Sequence, residues 1–334
     1  MRKVLMCALA ITFALVVFGA TKAIIGVSSH FQDNPFFALL SNTAKSALEA
    51  QGFEVIVADG KQDVMKQSND IDNFIAAGVK AIILTPVDSF ALSAAVNRAA
   101  DAGIPVICAD MTVYNATLAS TVESDNFNAG YVVGKYLVEY YSAQKLQGKK
   151  APFQLAVGTY NQANSCFARV EGLKKAIKDG PAGLIKIVDE HDCGVNYEPG
   201  MNLAQNWLSA YPDLSAIFMV NDMAALGALR AVEQTAAGRD VIVVGIDGNP
   251  DAVAEIIKGS ALKCTGSQYP QVMGYVAASM VMDIVAGKAV PTYVKTKTAA
   301  ISLPTQPWYA DPTMLGELVS RTVDVKYPIS DPVD

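Results

Sequence analysis

The stretch KAIILTPVDSFALSAAVNRAADAGIPVICAD, which runs from Lys80 to Asp110, determines the fold class. Lys80–Leu84 is a short apolar run of the kind found in buried strands, and Pro105–Ala109 is another. Between them, Asp88–Ala102 has the apolar spacing of a helix, with its first residue as the predicted N-cap and Gly103 just past its end. A strand, a helix and a strand in this order predict neighbouring parallel strands covered by helices on both faces.

The same alternation continues on both sides of this stretch. Further strands are predicted at Ile24–Ser28, Phe53–Ala58, Phe153–Val157, Leu184–Val188, Ser215–Val220, Val241–Ile246 and Leu262–Thr265. Further helices are predicted at Pro35–Gln51, Lys61–Ala77, Phe127–Gln144, 167–179, 198–210, 222–237, 250–258 and 270–286. A chain of 334 residues is longer than a single hydrophobic core usually serves. The pattern therefore predicts an α/β protein with two doubly wound parallel-sheet domains, which meet near Ser124–Asn126.

The composition narrows the functional class. Hydrophobic residues make up 51% of the chain and charged residues 17%, which is enough apolar material for large cores and argues against disorder. The formal net charge is −6 and no block of basic residues occurs, so nucleic acid is not an expected partner.

The first 23 residues have the pattern of a signal peptide. Arg2 and Lys3 precede the uncharged, mostly aliphatic run Val4–Ala20. We expect cleavage after Ala20 or Ala23, and therefore a protein exported to the periplasm or the cell exterior. A membrane anchor is the alternative, although the run is at the short end of the ~17–25 residues that a spanning helix needs.

The motifs of common α/β enzymes are absent from the sequence. No G-x-G-x-x-G opens the first helix and no G-x-x-x-x-G-K-[ST] occurs, so a dinucleotide or ATP site is unsupported. His30 and His191 are the only histidines, and no G-x-S-x-G elbow or spaced His/Cys ligands accompany them. Asp110 and Asp247 could be imagined as a glycosidase pair, but carboxylates that accept hydrogen bonds from hydroxyl groups are the simpler interpretation. We expect no enzyme activity, no catalytic residue, no cofactor and no metal.

Polar residues follow the predicted strands, where open α/β sheets bind their ligands. They are Asn34, Asp110, Asn161, Asn164, His191, Asp192, Asn221, Asp222, Asp247 and Gln268. Two sheets that face each other would place these side chains on both walls of one cleft. The stretch Asp33–Phe37, DNPFF, is the most informative, because it is either a capped helix start with two core phenylalanines or an aromatic face that stacks on a sugar.

Seven stretches resemble the ribose-binding branch of the periplasmic sugar-binding proteins, the type I binding components of ABC transporters. They are Asp33–Phe37, Thr85–Asp88, Gly103–Val106, Glu123–Asn126, Arg169–Gly172, Asn221–Leu229 and Val244–Asp251, in the family's order. The resemblance runs from about Ile24 to Ile301. Regulators of the Lac-repressor type share the fold but need an N-terminal helix-turn-helix, whereas here the signal segment leads directly into the first strand.

The resemblance implies a set of ligand-binding residues and a domain division. The implied residues are the first-loop amide and two stacking aromatics, a hydroxyl-binding aspartate with its neighbour, a helix arginine, and three residues that complete the site: Asn34, Phe36, Phe37, Asp110, Met111, Arg169, Asn221, Asp247 and Gln268. It also implies a three-segment hinge. The lobes would then be 24–124 with 268–297, and 125–267 with 298–334, whose last part is a surface-packed tail from 302 onward.

Two departures from the family pattern bear on the ligand. The arginine that usually follows the aspartate is Met111 here, and the aromatic expected near Val195 is replaced among Cys193, Asn196 and Tyr197. Losing a guanidinium removes donors to ligand oxygens. A polyol, an inositol-like ring or a deoxy sugar therefore competes with ribose as the expected neutral ligand.

The resemblance leaves the partner of the closed form open. Delivery to an ABC permease in the inner membrane is the expected role, and presentation to a chemoreceptor or sensor kinase is the alternative.

The pairing of the cysteines is a second open alternative. Cys166 and Cys193 follow strands expected to be neighbours, so they form either a disulfide or two packed thiols, whereas Cys108 and Cys264 are expected to be free.

Overall fold

Two six-stranded sheets, each covered by helices, form the part of the chain that the computed structural model describes, residues 22–161, 163–235 and 239–302. The first sheet contains β1 (Ile24–Ser29), β2 (Glu54–Asp59), β3 (Ile82–Leu84), β4 (Val106–Ala109), β5 (Ser120–Ser124) and β11 (Tyr293–Thr296). The second contains β6 (Phe153–Thr159), β7 (Ile185–Asp192), β8 (Leu214–Met219), β9 (Ile242–Asp247), β10 (Leu262–Ser267) and β12 (Ala300–Ser302).

The helices divide between the two sheets in the same way. Those packed with the first sheet are α1 (Pro35–Glu49), α2 (Val64–Ala76), α3 (Ser93–Asp101) and α9 (Pro270–Val285). Those packed with the second are α4 (Asn126–Leu146), α5 (Asn164–Asp179), α6 (Tyr197–Ala210), α7 (Asp222–Thr235) and α8 (Pro250–Lys258). We call the two groups of elements the first lobe and the second lobe.

The strand order is β2-β1-β3-β4-β5-β11 in the first lobe and β7-β6-β8-β9-β10-β12 in the second. Neighbouring strands are parallel, except that β12 runs antiparallel to β10. The chain passes between the sheets three times, between β5 and β6, β10 and β11, and β11 and β12. The predicted class of two doubly wound parallel sheets is confirmed.

Central strands are buried on both faces, as the near-continuous apolar runs predict. In β3, Ile82 and Leu84 pack into one apolar cluster with α2 and α3, while Ile83 points to the cluster under α1 and α9. Successive side chains of a strand point to opposite faces, so one apolar run serves both layers.

Several elements differ from the predicted ones. The helix expected from Asp88 begins at Ser93, because Asp88 Oδ1 instead accepts from the amides of Phe90 and Ala91, each at 2.7 Å, and closes a separate turn. Strands β5, β11 and β12 were not predicted, since they are short and partly polar. Strand β7 continues to Asp192, four residues beyond the predicted end.

The disulfide alternative is wrong for the described residues, in which all four cysteines are free and buried. Cys166 lies in the first turn of α5 and not in the preceding loop, and it packs with Cys193 in the core of the second lobe. Burial raises the pKa of both thiols to about 11, so they are protonated at neutral pH.

Some predictions fall outside the described residues. The signal segment does so except for its last two residues, and so does the tail from residue 303 onward. Across the described part of the chain, no helix combines the length and the apolar character needed to cross a bilayer.

Candidate functional site

Four of the predicted site residues, Asp110, Arg169, Asp247 and Gln268, lie near one another where the two lobes face each other. Asp110 directly follows β4 of the first lobe, and Asp247 ends β9 of the second. Arg169 lies in the second turn of α5, beyond the helix start at which it was expected, because α5 begins at Asn164. The positive charge of Arg169 lowers the pKa of the Asp110 carboxyl, and the negative charge of Asp247 raises it. The three groups therefore lie close together across the lobes.

Arg169 is the most constrained of these side chains. Its Nε donates to Asn126 Oδ1 at 2.9 Å, and its Nη1 donates to the carbonyl oxygen of Val220 at 2.7 Å and to Asp247 Oδ1 at 3.3 Å. The residue is 5% exposed. Burial acts to lower its pKa, but Asp247 and neighbouring acids outweigh burial and raise it. The guanidinium is therefore a fixed cation in the wall of the cleft.

Gln268 reaches the same carboxylate from the segment that returns to the first lobe. Its Nε2 donates to Asp247 Oδ1 at 2.6 Å. Its Oε1 is buried, and within the described residues no donor lies in hydrogen-bonding range. Burial raises the pKa of Asp247, although Arg169 and Gln268 oppose the shift. An acceptor left over in this position suits a ligand that brings a hydroxyl donor.

Asp110 is 7% exposed, and none of the described side chains or amides donates a hydrogen bond to its carboxylate. Burial raises its pKa to about 7; Arg169 lowers it, while Asp247 and Glu123 raise it further. Asp110 and Asp247 also have positive φ values, 74° and 144°, which favour glycine and strain other residues. Two strained backbone positions thus hold two carboxylates towards one cleft.

The start of α1 carries the aromatic residues that the sequence predicts for the site. Asn34 caps the helix, with Oδ1 accepting from the Phe36 amide at 3.0 Å. Phe36 and Phe37 meet edge to face, with ring centroids 5.3 Å apart. His30, which had no predicted role, stacks on Phe37 with ring centroids 4.6 Å apart, and its Nδ1 lies 3.0 Å from the carbonyl oxygen of Pro86. The helix cap expected for the DNPFF stretch is present, but Phe36 and Phe37 are only half-buried. Stacking of these rings on a sugar stays a prediction.

Other predicted residues are less available for contact with a ligand in the cleft. Asn221 donates from Nδ2 to the carbonyl oxygen of Val195 at 2.8 Å and accepts from the Ala224 amide at 3.0 Å, so it fixes the loop after β7 to α7. Met111 follows Asp110 and is half-buried. His191 does not join this site, because it lies on the edge strand β7 with its side chain 65% exposed beside Asp189.

Two supporting residues stand outside the predicted ligand-binding set, although Asp222 was expected on a wall of the cleft. Asn126 accepts a hydrogen bond from Arg169 and so fixes the guanidinium. Asn126 belongs to the Glu123–Asn126 stretch, for which no ligand-binding role was predicted. Asp222 is fully buried and accepts from Thr265 Oγ1 and the Asn249 amide. Burial, with the nearby charge of Asp247, raises its pKa to about 8. Within the described residues, no cluster of His, Cys, Asp and Glu could hold a metal ion.

The two lobes approach each other at the rim of the cleft. Tyr114 stacks on Phe90 within the first lobe, with ring centroids 4.9 Å apart, and its hydroxyl lies near Asn164 of the second lobe. Chemically, the enclosed space offers carboxylate and amide acceptors, guanidinium and amide donors, and an aromatic face. This combination suits a compact molecule that both donates and accepts hydrogen bonds.

Comparisons with known proteins agree with this geometry. The family model described as periplasmic binding protein domain matches residues 25–289. The ribose import binding protein of Bacillus subtilis is 33% identical over 282 residues, which are 84% of this chain and 87% of that protein. A periplasmic solute binding protein of an ABC transporter from Actinobacillus succinogenes, solved with D-allose, superposes with a TM-score of 0.76 at 27% identity, covering 84% of this chain and 98% of that one. The Caulobacter myo-inositol binding protein bound to myo-inositol gives a TM-score of 0.76 at 26% identity, covering 89% and 98%. The chain belongs to the periplasmic binding protein family.

Proposed function

We propose that this chain is an exported solute-binding protein, which captures a neutral sugar or polyol between its lobes and delivers it to an ABC importer. The proposed ligand-binding residues are those inferred from the sequence: Asn34, Phe36, Phe37, Asp110, Met111, Arg169, Asn221, Asp247 and Gln268. Relatives named for ribose import and structural neighbours solved with D-allose and myo-inositol support this ligand class.

The observation that carries the proposal is the placement of Asp110 opposite the Arg169–Asp247 pair. The carboxylate of the first lobe is buried against charged groups of the second lobe and has no described hydrogen-bond donor. A buried charge without a donor costs free energy. A bound hydroxyl group would supply the missing donor, so the ligand itself stabilises the closed arrangement.

The charge of the site favours a neutral ligand. Asp110 and Asp247 together carry two negative charges when ionised, against one positive charge on Arg169. An anionic ligand would meet net repulsion at this site.

Export and the domain division complete the proposal. Residues 1–23 would direct the chain to the periplasm or cell exterior, where an ABC permease in the inner membrane would be its partner. We divide the remaining chain into 24–124 with 268–297, and 125–267 with 298–334. A sensory use of the closed form remains the alternative, and a permease and an ATPase encoded beside this chain would favour transport.

Calorimetry on the chain without residues 1–23 tests the function. The panel contains D-ribose, D-allose, myo-inositol and glycerol, with D-ribose 5-phosphate as the anionic control. We expect saturable binding of at least one neutral member, weakened by roughly 2–4 kcal/mol in Asp247→Ala because ligand hydroxyls lose a charged partner. Tight binding of the phosphate alone, or no binding in the whole panel, would contradict the proposal.

A further inference from the structure

A cavity of about 110 Å³ adjoins the proposed sugar site. It is several times the ~10–15 Å³ that admits one water molecule. It lies between the lobes and is lined by α1, the loop from β9 to α8, and the start of α9, through Pro35, Phe36, Leu39, Asp247, Gly248, Asn249, Pro250, Pro270 and Gln271. Phe36 and Asp247 also belong to the proposed sugar site, so the cavity borders that site.

The first amides of a helix are usually free hydrogen-bond donors, but the helix starts around this cavity offer few of them. Three helices begin here, and each has proline in its first turn, at Pro35, Pro250 and Pro270, where no N–H exists. The next amides are already occupied at two of these starts. Asn34 Oδ1 accepts from Phe36, and Asn249 Oδ1 accepts from Asp251 at 2.9 Å.

The backbone amides of the loop that leads into α8 donate to groups inside the second lobe and not to the cavity. The Gly248 amide donates to Thr265 Oγ1 at 3.1 Å, and the Asn249 amide donates to Asp222 at 2.7 Å. A polar group placed in the cavity would therefore lose its hydration without finding these amides. An apolar group would instead contact the proline rings, Phe36 and Leu39.

Leu39 is 38% exposed although it lines this cavity. It follows Phe36 by three residues on α1, so both side chains lie on one face of the helix. The opposite wall comes from the second lobe, so the cavity lies where the two lobes meet. A group that fills it would add contacts that the open form lacks, and would favour closure.

We propose that this cavity is an apolar subsite for a short alkyl substituent on the bound sugar or polyol, so that the preferred ligand is an O-alkylated or alkyl-glycosidic form. The inference rests on the proposed function, because the substituent is presented by a ring held at the shared walls Phe36 and Asp247. The size of the cavity admits a methyl to propyl group.

The test takes the neutral sugar or polyol that binds best in calorimetry and compares it with its complete set of mono-O-methyl ethers. We expect one ether to bind about fourfold more tightly than its parent, since one buried methylene contributes about that factor. Extending that ether to ethyl should give a similar further gain. The inference is wrong if the parent binds and every ether binds more weakly; the proposed function then stands. If neither parents nor ethers bind, the proposed function fails and the subsite with it.

Leu39→Phe supplies the matched variant, because it fills the cavity from a partly exposed helix position. In Leu39→Phe the ether should no longer bind more tightly than the parent. The affinity for the parent should stay within about twofold of that of the unchanged chain, well below a tenfold change. Met65→Phe, at a residue of α2 that is 69% exposed and outside the cavity, should change neither. An ether advantage that persists in Leu39→Phe, in a variant whose circular dichroism and melting temperature are unchanged, would place the substituent elsewhere and overturn the inference.

Discussion

Arg169 donates from Nη1 to Oδ1 of Asp247 over 3.3 Å, and thereby ties α5 to the end of β9. The two side chains are 6% and 16% exposed, respectively. Because Gln268 donates to the same oxygen, Oδ1 is occupied twice by the protein. Oδ2 of Asp247 accepts from neither of these two side chains, and we propose that a ligand hydroxyl donates to it.

Arg169→Ala should lower the free energy of unfolding by about 3–5 kcal/mol, since it leaves buried acids without their cation. Urea denaturation of the ligand-free chain measures this. The control is Arg230→Ala, which breaks an exposed pair with Glu233 at 3.4 Å and should cost less than about 1 kcal/mol. Equal losses in the two variants would show that Arg169 is not structurally critical.

Asp110→Asn should stabilise the ligand-free chain while weakening ligand binding. The pKa of Asp110 is about 7 in the folded chain and about 3.9 in unfolded peptides. The folded state therefore holds more protons between these values, and the free energy of unfolding falls as pH rises through that window. The gain in Asp110→Asn should be about 1–4 kcal/mol at pH 8 and should vanish near pH 4. Denaturation of both proteins at several pH values tests this, and a gain that does not depend on pH would contradict it.

The same carboxyl predicts that acid favours closure of the ligand-free lobes. Asp110 is buried against the second lobe, so its proton is held more tightly when the lobes are closed than when opening exposes the group to water. Small-angle scattering without ligand should give a smaller radius at pH 5.5 than at pH 8, and saturating ligand should give the smaller radius at both. Asp110→Asn should remove the pH dependence. A radius that depends neither on ligand nor on pH would show that the lobes do not move.

The alternating pattern predicted the fold because most strands contain a short apolar run and the helices between them have the apolar spacing of a helix. Strand β5, with the sequence STVES, carries no such run; it is a strand because β4 and β11 flank it. The start of α3 was misplaced for a local reason. An aspartate can cap a helix or close a turn with the same oxygen, and the sequence does not distinguish the two at Asp88.

The position of the site was predictable to the extent that it follows strand ends. Asp110 and Asp247 could be found this way, because parallel strands end on one edge. The partners could not be found, since Asn126 meets Arg169 from 43 residues away and His30 meets Phe37 through a bend in the first loop. His191 was wrongly included among the loop residues because β7 runs further than its apolar part.

Asn34 requires two variants, since it has a structural role beside its proposed binding role. Asn34→Ala should weaken ligand binding by roughly 2–4 kcal/mol and also lower stability by about 1 kcal/mol through loss of the α1 cap. Asn34→Asp keeps the capping oxygen but removes the amide donors, so affinity should fall with little change in melting temperature. Asp63→Ala, which removes the cap of α2 at Lys66, should lower stability alone. Calorimetry and thermal melts on the three variants separate the roles; unchanged affinity in both Asn34 variants would place Asn34 outside the site.

Gly130→Ala should weaken ligand binding through the position of Arg169, although Gly130 lies outside the proposed site. Helices α4 and α5 approach so closely here that a methyl group on Gly130 would overlap the Arg169 carbonyl oxygen. The turn that carries the guanidinium would have to shift, at a cost of about 1–3 kcal/mol in stability. Gly134→Ala is the matched control, because its methyl group would meet Ala176 and Leu173 one turn further along the same contact. We expect both variants to lower the midpoint of urea unfolding and only Gly130→Ala to lower affinity in calorimetry by tenfold or more, the ~1.4 kcal/mol scale of one displaced hydrogen bond. Equal affinity in the two variants would show that the α4–α5 contact stabilises the lobe without positioning Arg169.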